Sequence, residues 1–255
     1  MQSKVVHKFG NSGHVIVPRE YVGKRVRFII ESKRFEDIQA EILHTLRPHL
    51  EHIIGVYLYG SYARNEQTLD SDIDILVVAN THIHVGEKKE HYSVICITVQ
   101  ELEQALRKNA VLILPILKEA RAIINAEFLD TYNEYSFTKQ NTKAFIEESE
   151  RILALNKKGL ALDFELGSLV YSMILRVRGL LIISLLNNNE SYATARLHGY
   201  LYDHGFPQEV VEELYRIYGL EREGKHIQES SVITKETLEK LYHVASHLLE
   251  MVRDL

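Results

Sequence analysis

The apolar run Ile53-Ile54-Gly55-Val56-Tyr57-Leu58-Tyr59 ends in Gly60-Ser61, and ten residues later Asp72-Ile73-Asp74 opens a second apolar run, Ile75-Leu76-Val77-Val78. This pattern constrains the fold more than any other part of the chain, because it calls for two strands with a tight turn after the first and acid at the mouth of the second. Residues two apart on a strand project to the same face. Asp72 and Asp74 therefore aim two carboxylates at one spot, while Ile73, Ile75 and Val77 face the other way into a core. Two hard oxygen ligands suit Mg²⁺, which usually takes one or two protein carboxylates and completes its shell with water and phosphate. Gly60 and Ser61 can bring backbone N–H groups and a hydroxyl close to a phosphate with no bulky side chain in the way.

An apolar strand, Gly-Ser, about ten residues and then Asp-x-Asp resembles the signature of the DNA polymerase β-type nucleotidyltransferase superfamily, most closely its minimal nucleotidyltransferase branch. That resemblance implies an α+β fold with a mixed sheet. It also implies a reaction in which an acceptor attacks the α-phosphate of a nucleoside triphosphate and pyrophosphate leaves. Asp72 and Asp74 are then the catalytic metal ligands for Mg²⁺ or Mn²⁺, and Gly60 and Ser61 hold the triphosphate, with ATP the expected donor. Arg64 can neutralise phosphate charge with its planar fork; an ion pair with Glu66 or Asp70 is the equal alternative. The family places a third carboxylate on a neighbouring strand, and the corresponding position here is Ser93. Glu90 is the candidate substitute for the metal site, but it lies three residues upstream, a shift that changes strand face.

The rest of the chain is expected to form two further parts, giving domains at 1–30, 31–130 and 131–255. In the first thirty residues, Val5–Phe9 and His14–Val17 read as strands around the turn residues 10–13, Pro18 opens a helical turn, and 24–30 alternates again. Phe9-Gly10-Asn11-Ser12-Gly13-His14-Val15-Ile16-Val17-Pro18 resembles the AbrB/MazE swapped-hairpin module, which implies an interleaved homodimer able to contact DNA. So short a segment buries little on its own, so self-association is also the physical expectation. Lys8, Arg19, Lys24, Arg25 and Arg27 make it the most basic stretch of the chain, though a dimerising appendage is the stronger reading over DNA binding.

In the middle part, Phe35–Leu50 carries apolar residues at helical spacing, Tyr92–Thr98 is a further strand, and Thr98-Val99-Gln100-Glu101 is a capping box that starts a helix. After Asp130 the spacing predicts helices over Phe137–Asn156, Asp163–Leu186, Ser191–His204, Pro207–Tyr218 and Thr234–Leu255. The second is apolar almost all round and belongs at the centre of a bundle. Arg176 and Arg178 within it need carboxylate partners or a cleft. This all-α part resembles the HEPN-like domains that accompany minimal nucleotidyltransferases. The Arg-x₄₋₆-His motif of HEPN ribonucleases is not matched; Arg222-Glu223-Gly224-Lys225-His226 has too short a spacing and reads as a connecting segment.

A net charge of −5 argues against bulk charge-driven binding to nucleic acid. The single cysteine, Cys96, rules out an intramolecular disulfide framework and reads as a structural thiol. His82-x-His84, near His91, could bind a transition metal, but a polar loop between two strands is the stronger reading. No run reaches the eighteen apolar residues expected of a membrane span, and the start of the chain lacks a signal-peptide core, so a cytoplasmic protein with no membrane partner is expected. Two functions fit. The first is a Mg²⁺-dependent transferase acting on a hydroxyl of a protein, as in antitoxin-like nucleotidylylation, or of a small molecule. The second is a degenerate nucleotide-binding regulator that dimerises or contacts DNA through its N-terminal segment.

Overall fold

A computed structural model describes residues 6–26, 32–69, 71–85 and 91–253. The chain separates into two units, Met1–Lys33 and Arg34–Leu255. In the first, β1 (His7–Phe9) and β2 (Ser12–His14) form an antiparallel hairpin with Phe9 opposite Ser12. Gly10 takes a φ of +58°, so the turn closes over Gly10-Asn11 alone. The second strand therefore starts at Ser12, two residues before the expected His14. Pro18 caps a 3₁₀ turn at Arg19–Tyr21. Most of the strand expected over 24–30, and Val5 of the first strand, lie outside the described residues. No described side chain of this unit is buried, and Phe9, Ile16 and Val22 are exposed.

The second unit is built on a four-stranded mixed sheet. Its members are β3 (Ile53–Tyr59), β4 (Ile73–Ala79), β5 (Tyr92–Thr98) and β6 (Arg121–Ile124), in the order β5-β4-β3-β6. β4 runs parallel to β5, and β3 runs antiparallel to both β4 and β6. Before the sheet, α1 (Phe35–Leu46) ends earlier than expected and gives way to a 3₁₀ segment, Arg47–His52. Pro48 has no N–H to donate to the α-helical ladder, which accounts for the early end. After β3 the chain makes one helical turn, α2 (Gly60–Ala63). α3 (Val99–Lys108) starts on the expected capping box. The Thr98 hydroxyl accepts the Glu101 N–H at 3.2 Å, and the Glu101 carboxylate accepts the Thr98 N–H at 2.8 Å. α4 (Leu114–Glu119) leads into β6, and α5 (Ala126–Asp130) leaves it.

Both faces of the sheet are covered. Val56, Leu58, Ile73, Ile75 and Val77 pack against Ile38, Ile42 and Leu46 of α1. Tyr57, Leu76 and Val78 point the other way and join α3 and the helices that follow. Those helices are α6 (Lys139–Ala161), α7 (Leu166–Asn187), α8 (Thr194–Asp203), α9 (Gln208–Arg222) and α10 (Lys235–Arg253), each within a few residues of expectation except the longer C-terminal ends of α6 and α9. α7 is the central helix, with Val170, Met173, Ile174, Val177 and Leu180 fully enclosed. By length and composition α7 could cross a membrane, contrary to the expectation that no segment would pass that test, but most of it is buried in the bundle. Arg176 lies 3.8 Å from a Glu148 oxygen and over the Phe145 ring, and Arg178 stacks on Tyr192.

Leu76 sits in β4 with no exposed surface, between the sheet and the helical part, whereas Ile95 on edge strand β5 is 40% exposed. Leu76→Ala should cost about 2–5 kcal/mol through lost burial and a residual cavity. Ile95→Ala should stay within about 0.5 kcal/mol. Urea unfolding of the two variants beside wild type measures both, and equal costs would contradict the two-faced burial of β4.

Candidate functional site

The register of β3 and β4 builds the site. Tyr59 pairs with Asp74, so the next residue, Gly60, lies against the Asp74 side chain. Gly60 has a φ of +73°, and a Cβ placed there would come within 2.3 Å of Asp74 Oδ2. Glycine is required twice over, for its left-handed backbone and for the absence of a side chain facing the carboxylate. Ser61 follows in the single turn of α2 and is half-buried. Asp72 precedes β4 and is exposed, and Asp74 is half-buried. Asp74 shares the parity of Leu76 and Val78, which places it on the sheet face covered by the helical part.

Burial pushes the Asp74 pKa up to about 6; Arg222 opposes the rise, while Asp72 and Glu119 add to it. Tyr59 beside it is pushed up to about 12, by burial first and then by Asp74 and Glu119. On the other side of β4, Asp74 pairs with Ser93 in the parallel ladder to β5. The neighbouring strand thus offers the position expected for a third carboxylate, and a hydroxyl stands there. Glu90 and Asp70, both weighed from the sequence, lie outside the described residues.

Arg64 is engaged by the protein's own acids. Its Nε donates to Glu66 Oε2 at 2.8 Å and its Nη1 to Glu119 Oε2 at 2.7 Å. The second Glu119 oxygen accepts the Gly60 N–H at 2.8 Å. Glu66 also accepts the Thr194 N–H at 2.9 Å and the Thr194 hydroxyl at 3.0 Å, at the start of α8. Burial alone would raise the Glu66 pKa, but the hydrogen bonds from Arg64 and Thr194 hold it below the usual carboxylate range. The alternative of an Arg64–Glu66 ion pair is therefore realised, and Glu119 is a second partner.

The sequence reading missed Glu119, Thr194 and Arg222. Glu119 enters through β6, whose four residues are too few to stand out by alternation; its pairing of Leu58 with Arg121 carries Glu119 alongside Gly60. Arg222 was noticed only as part of a connecting segment, yet it ends α9 and is the strongest charged neighbour felt by Asp74.

Could the residues hold a divalent cation? Asp72, Asp74, Glu66 and Glu119 outweigh Arg64 and Arg222 in charge, and a half-buried carboxylate with a raised pKa gains most from a nearby cation. Among the described residues, no group of three or more His, Cys, Asp or Glu side chains is arranged to hold a metal. The donor set fits an ion held by the Asp72–Asp74 pair that draws its remaining ligands from water and phosphate, the usual habit of Mg²⁺.

Residues 37–155, just under half of the chain, match the family model described as Nucleotidyltransferase domain. Residues 2–31 match a second model, described as Putative transposon-encoded protein. No curated protein matches. Among solved structures, the spectinomycin adenyltransferase of Enterococcus faecialis, with ATP and spectinomycin, is similar at 15% identity and a TM-score of 0.48, over 83% of this chain and 98% of that one. A nucleotidyltransferase-like protein from Exiguobacterium sibiricum is similar at 14% identity and a TM-score of 0.34, over 82% and 75% of the two chains. Both are distant likenesses. The family model assigns the segment it covers to the nucleotidyltransferase domain family.

Two measurements check the site. In the metal-free protein, the Asp74 carboxyl should titrate with a midpoint about 6, followed by carboxyl-carbon NMR and assigned through Asp74→Asn. Mg²⁺ should lower that midpoint, since a nearby cation favours the anion; a midpoint near 4 without metal would contradict the burial of this group. Gly60→Ala should lose roughly 1–2 kcal/mol from the left-handed backbone alone, read by thermal unfolding, and should displace the Asp74 resonance.

Proposed function

Starting from a nucleotidyltransferase domain at residues 37–155, we propose that this protein transfers a nucleoside monophosphate from a nucleoside triphosphate to a hydroxyl acceptor. One observation carries the reading: the register that seats Gly60 against Asp74 brings the Gly-Ser turn and the Asp-x-Asp pair to one place. A turn that presents N–H groups and a hydroxyl beside paired carboxylates is suited to a triphosphate together with its divalent cation.

In this reading Asp72 and Asp74 hold Mg²⁺ or Mn²⁺, and Ser61 contacts the phosphates with its N–H and hydroxyl. The Gly60 N–H is already taken by Glu119, so Gly60 contributes by leaving room and shaping the turn. Arg64, engaged by Glu66 and Glu119, gives up the phosphate-neutralising role to Arg222, which approaches from the end of α9. The metal, when bound, stabilises charge on the attacking and departing oxygens. The acceptor hydroxyl gives up its proton to water as its oxygen forms a bond to the α-phosphorus, the bond to the bridging oxygen breaks, and pyrophosphate leaves. The helical part roofs the Asp74 face of the sheet and supplies one wall for the acceptor, which is a protein, as in antitoxin-like modification, or a small molecule.

Ser93 favours a second reading. A serine beside Asp74 cannot act as the anionic base that a third carboxylate would be. The domain then binds nucleotide without turnover and serves as a regulator, dimerising through the N-terminal unit, whose exposed Phe9, Ile16 and Val22 suit burial against a second copy. DNA contact through that unit is the weaker version.

A thermal-shift panel of ATP, GTP, CTP and UTP, each with and without Mg²⁺, tests the shared premise, because a ligand that binds only the native state raises the melting temperature. A Mg²⁺-dependent shift of several degrees with one triphosphate, lost in Asp72→Asn and Asp74→Asn, is expected. No shift at millimolar nucleotide would defeat both readings of the site. Turnover of α-labelled nucleotide, abolished by Asp74→Asn, supports the transferase; binding without turnover supports the regulator. Removing residues 1–30 should convert a dimer to a monomer by light scattering, and an unchanged mass would remove the dimerising role.

A further inference from the structure

The Gly60-Ser61 turn is tied to the helical part by a chain of charged groups that no step of the proposed reaction consumes. Glu119 stands at its centre. One of its oxygens accepts the Gly60 N–H at 2.8 Å, and the other accepts Arg64 Nη1 at 2.7 Å. Arg64 passes the link to Glu66 at 2.8 Å, and Glu66 accepts both the N–H and the hydroxyl of Thr194 at the start of α8. The Arg64 side chain is 13% exposed, and those of Glu119 and Glu66 are 18% and 23% exposed, so water screens these contacts poorly. The Arg64 guanidinium also lies 5.6 Å from the centre of the Tyr192 ring, which carries Arg178 of α7 at 5.4 Å.

We infer that Glu119 is a positioning residue. It fixes the backbone of the Gly60-Ser61 turn and, through Arg64 and Glu66, sets that turn relative to α8. Three features point this way. The carboxylate uses one oxygen at each end of α2, accepting the Gly60 N–H that opens the turn and the Arg64 guanidinium that follows it. The residue it holds, Gly60, has a left-handed backbone with no side chain of its own to keep it in place. Finally, Glu119 closes α4 one residue before β6, so the β3–β6 pairing of Leu58 with Arg121 holds its backbone at the height of Gly60. Preorganised donors are worth more to a bound phosphate than donors that must be ordered on binding. The inference rests on the nucleotide-binding reading for its consequence, but not for its geometry.

The opposite sign is physically available. Glu119 could instead stand where a phosphate oxygen belongs, as an anion that the triphosphate must displace. The full-length variants Glu119→Gln and Glu119→Ala separate the two. Glutamine is nearly isosteric and keeps an acceptor for the Gly60 N–H, while alanine removes both anchors. Calorimetric titration with the Mg²⁺ complex of the triphosphate selected by thermal shift should show affinity about tenfold weaker for Glu119→Ala. Glu119→Gln should fall between it and wild type, and melting temperatures should not follow that order of affinity. Tighter binding by either variant, or unchanged affinity in both, overturns the inference. Amide hydrogen exchange on the nucleotide-free protein supplies an independent reading. Exchange at Gly60–Arg64 should accelerate in Glu119→Ala, with a smaller increase at Thr194. Should wild type bind no triphosphate, the proposed function fails while the exchange result still decides, and unchanged protection at Gly60 sinks the positioning role.

Discussion

The antiparallel pairing of β3 with β4, in the register that sets Tyr59 opposite Asp74, is the constraint on which the rest of this site depends. Side chains on a strand alternate, so slipping the pairing by one residue would turn Asp74 toward α1 and Ile75 toward the face covered by the helical part. The core enforces the register. Ile73, Ile75 and Val77 must meet Ile38, Ile42 and Leu46, and the slip would bury a carboxylate in that apolar layer. The residues that specify where Asp74 points are thus mostly the isoleucines and valines around it.

The second constraint is the covering of the other face. Leu76 and Val78 enter the large cluster that also contains α7, so Asp74, on the same face at the open end of the strand, is partly taken out of water. Its proton affinity rises because solvent no longer supports the anion, and neighbouring Asp72 and Glu119 add to that effect against the pull of Arg222. The helical part therefore tunes the site electrostatically as well as forming a wall of it. The ties run both ways, since Glu66 from the loop after α2 holds the first residue of α8.

Much of this was legible from residues alone. The β3 and β5 limits, the Thr98–Glu101 capping box, the five C-terminal helices and the opposed facing of Asp74 and Ile75 follow from periodicity and from turn and cap chemistry acting over a few residues. What escaped was short or non-local. β6 spans four residues, too few for alternation to register, and with it went Glu119. The N-terminal hairpin closed over two residues because Gly10 adopts a left-handed backbone, a choice that the four turn-forming residues 10–13 left open. Arg222 looked like linker chemistry because its partners are more than a hundred positions away in the chain.

The sequence by itself determined the α+β layout of the second unit, the all-α composition of its latter part, and the Gly60-Ser61 and Asp72–Asp74 spacing on which the proposed function rests. These are local properties, carried by spacing and side-chain type. Only the tertiary structure decided that Arg64 is occupied by Glu66 and Glu119, that Ser93 stands beside Asp74, and that the Arg222 charge is felt at Asp74. Each depends on the distance between groups remote in sequence. Hydrogen bonds and charge pairing act over a few ångströms of space, and local periodicity carries no information about which distant residue will fill them.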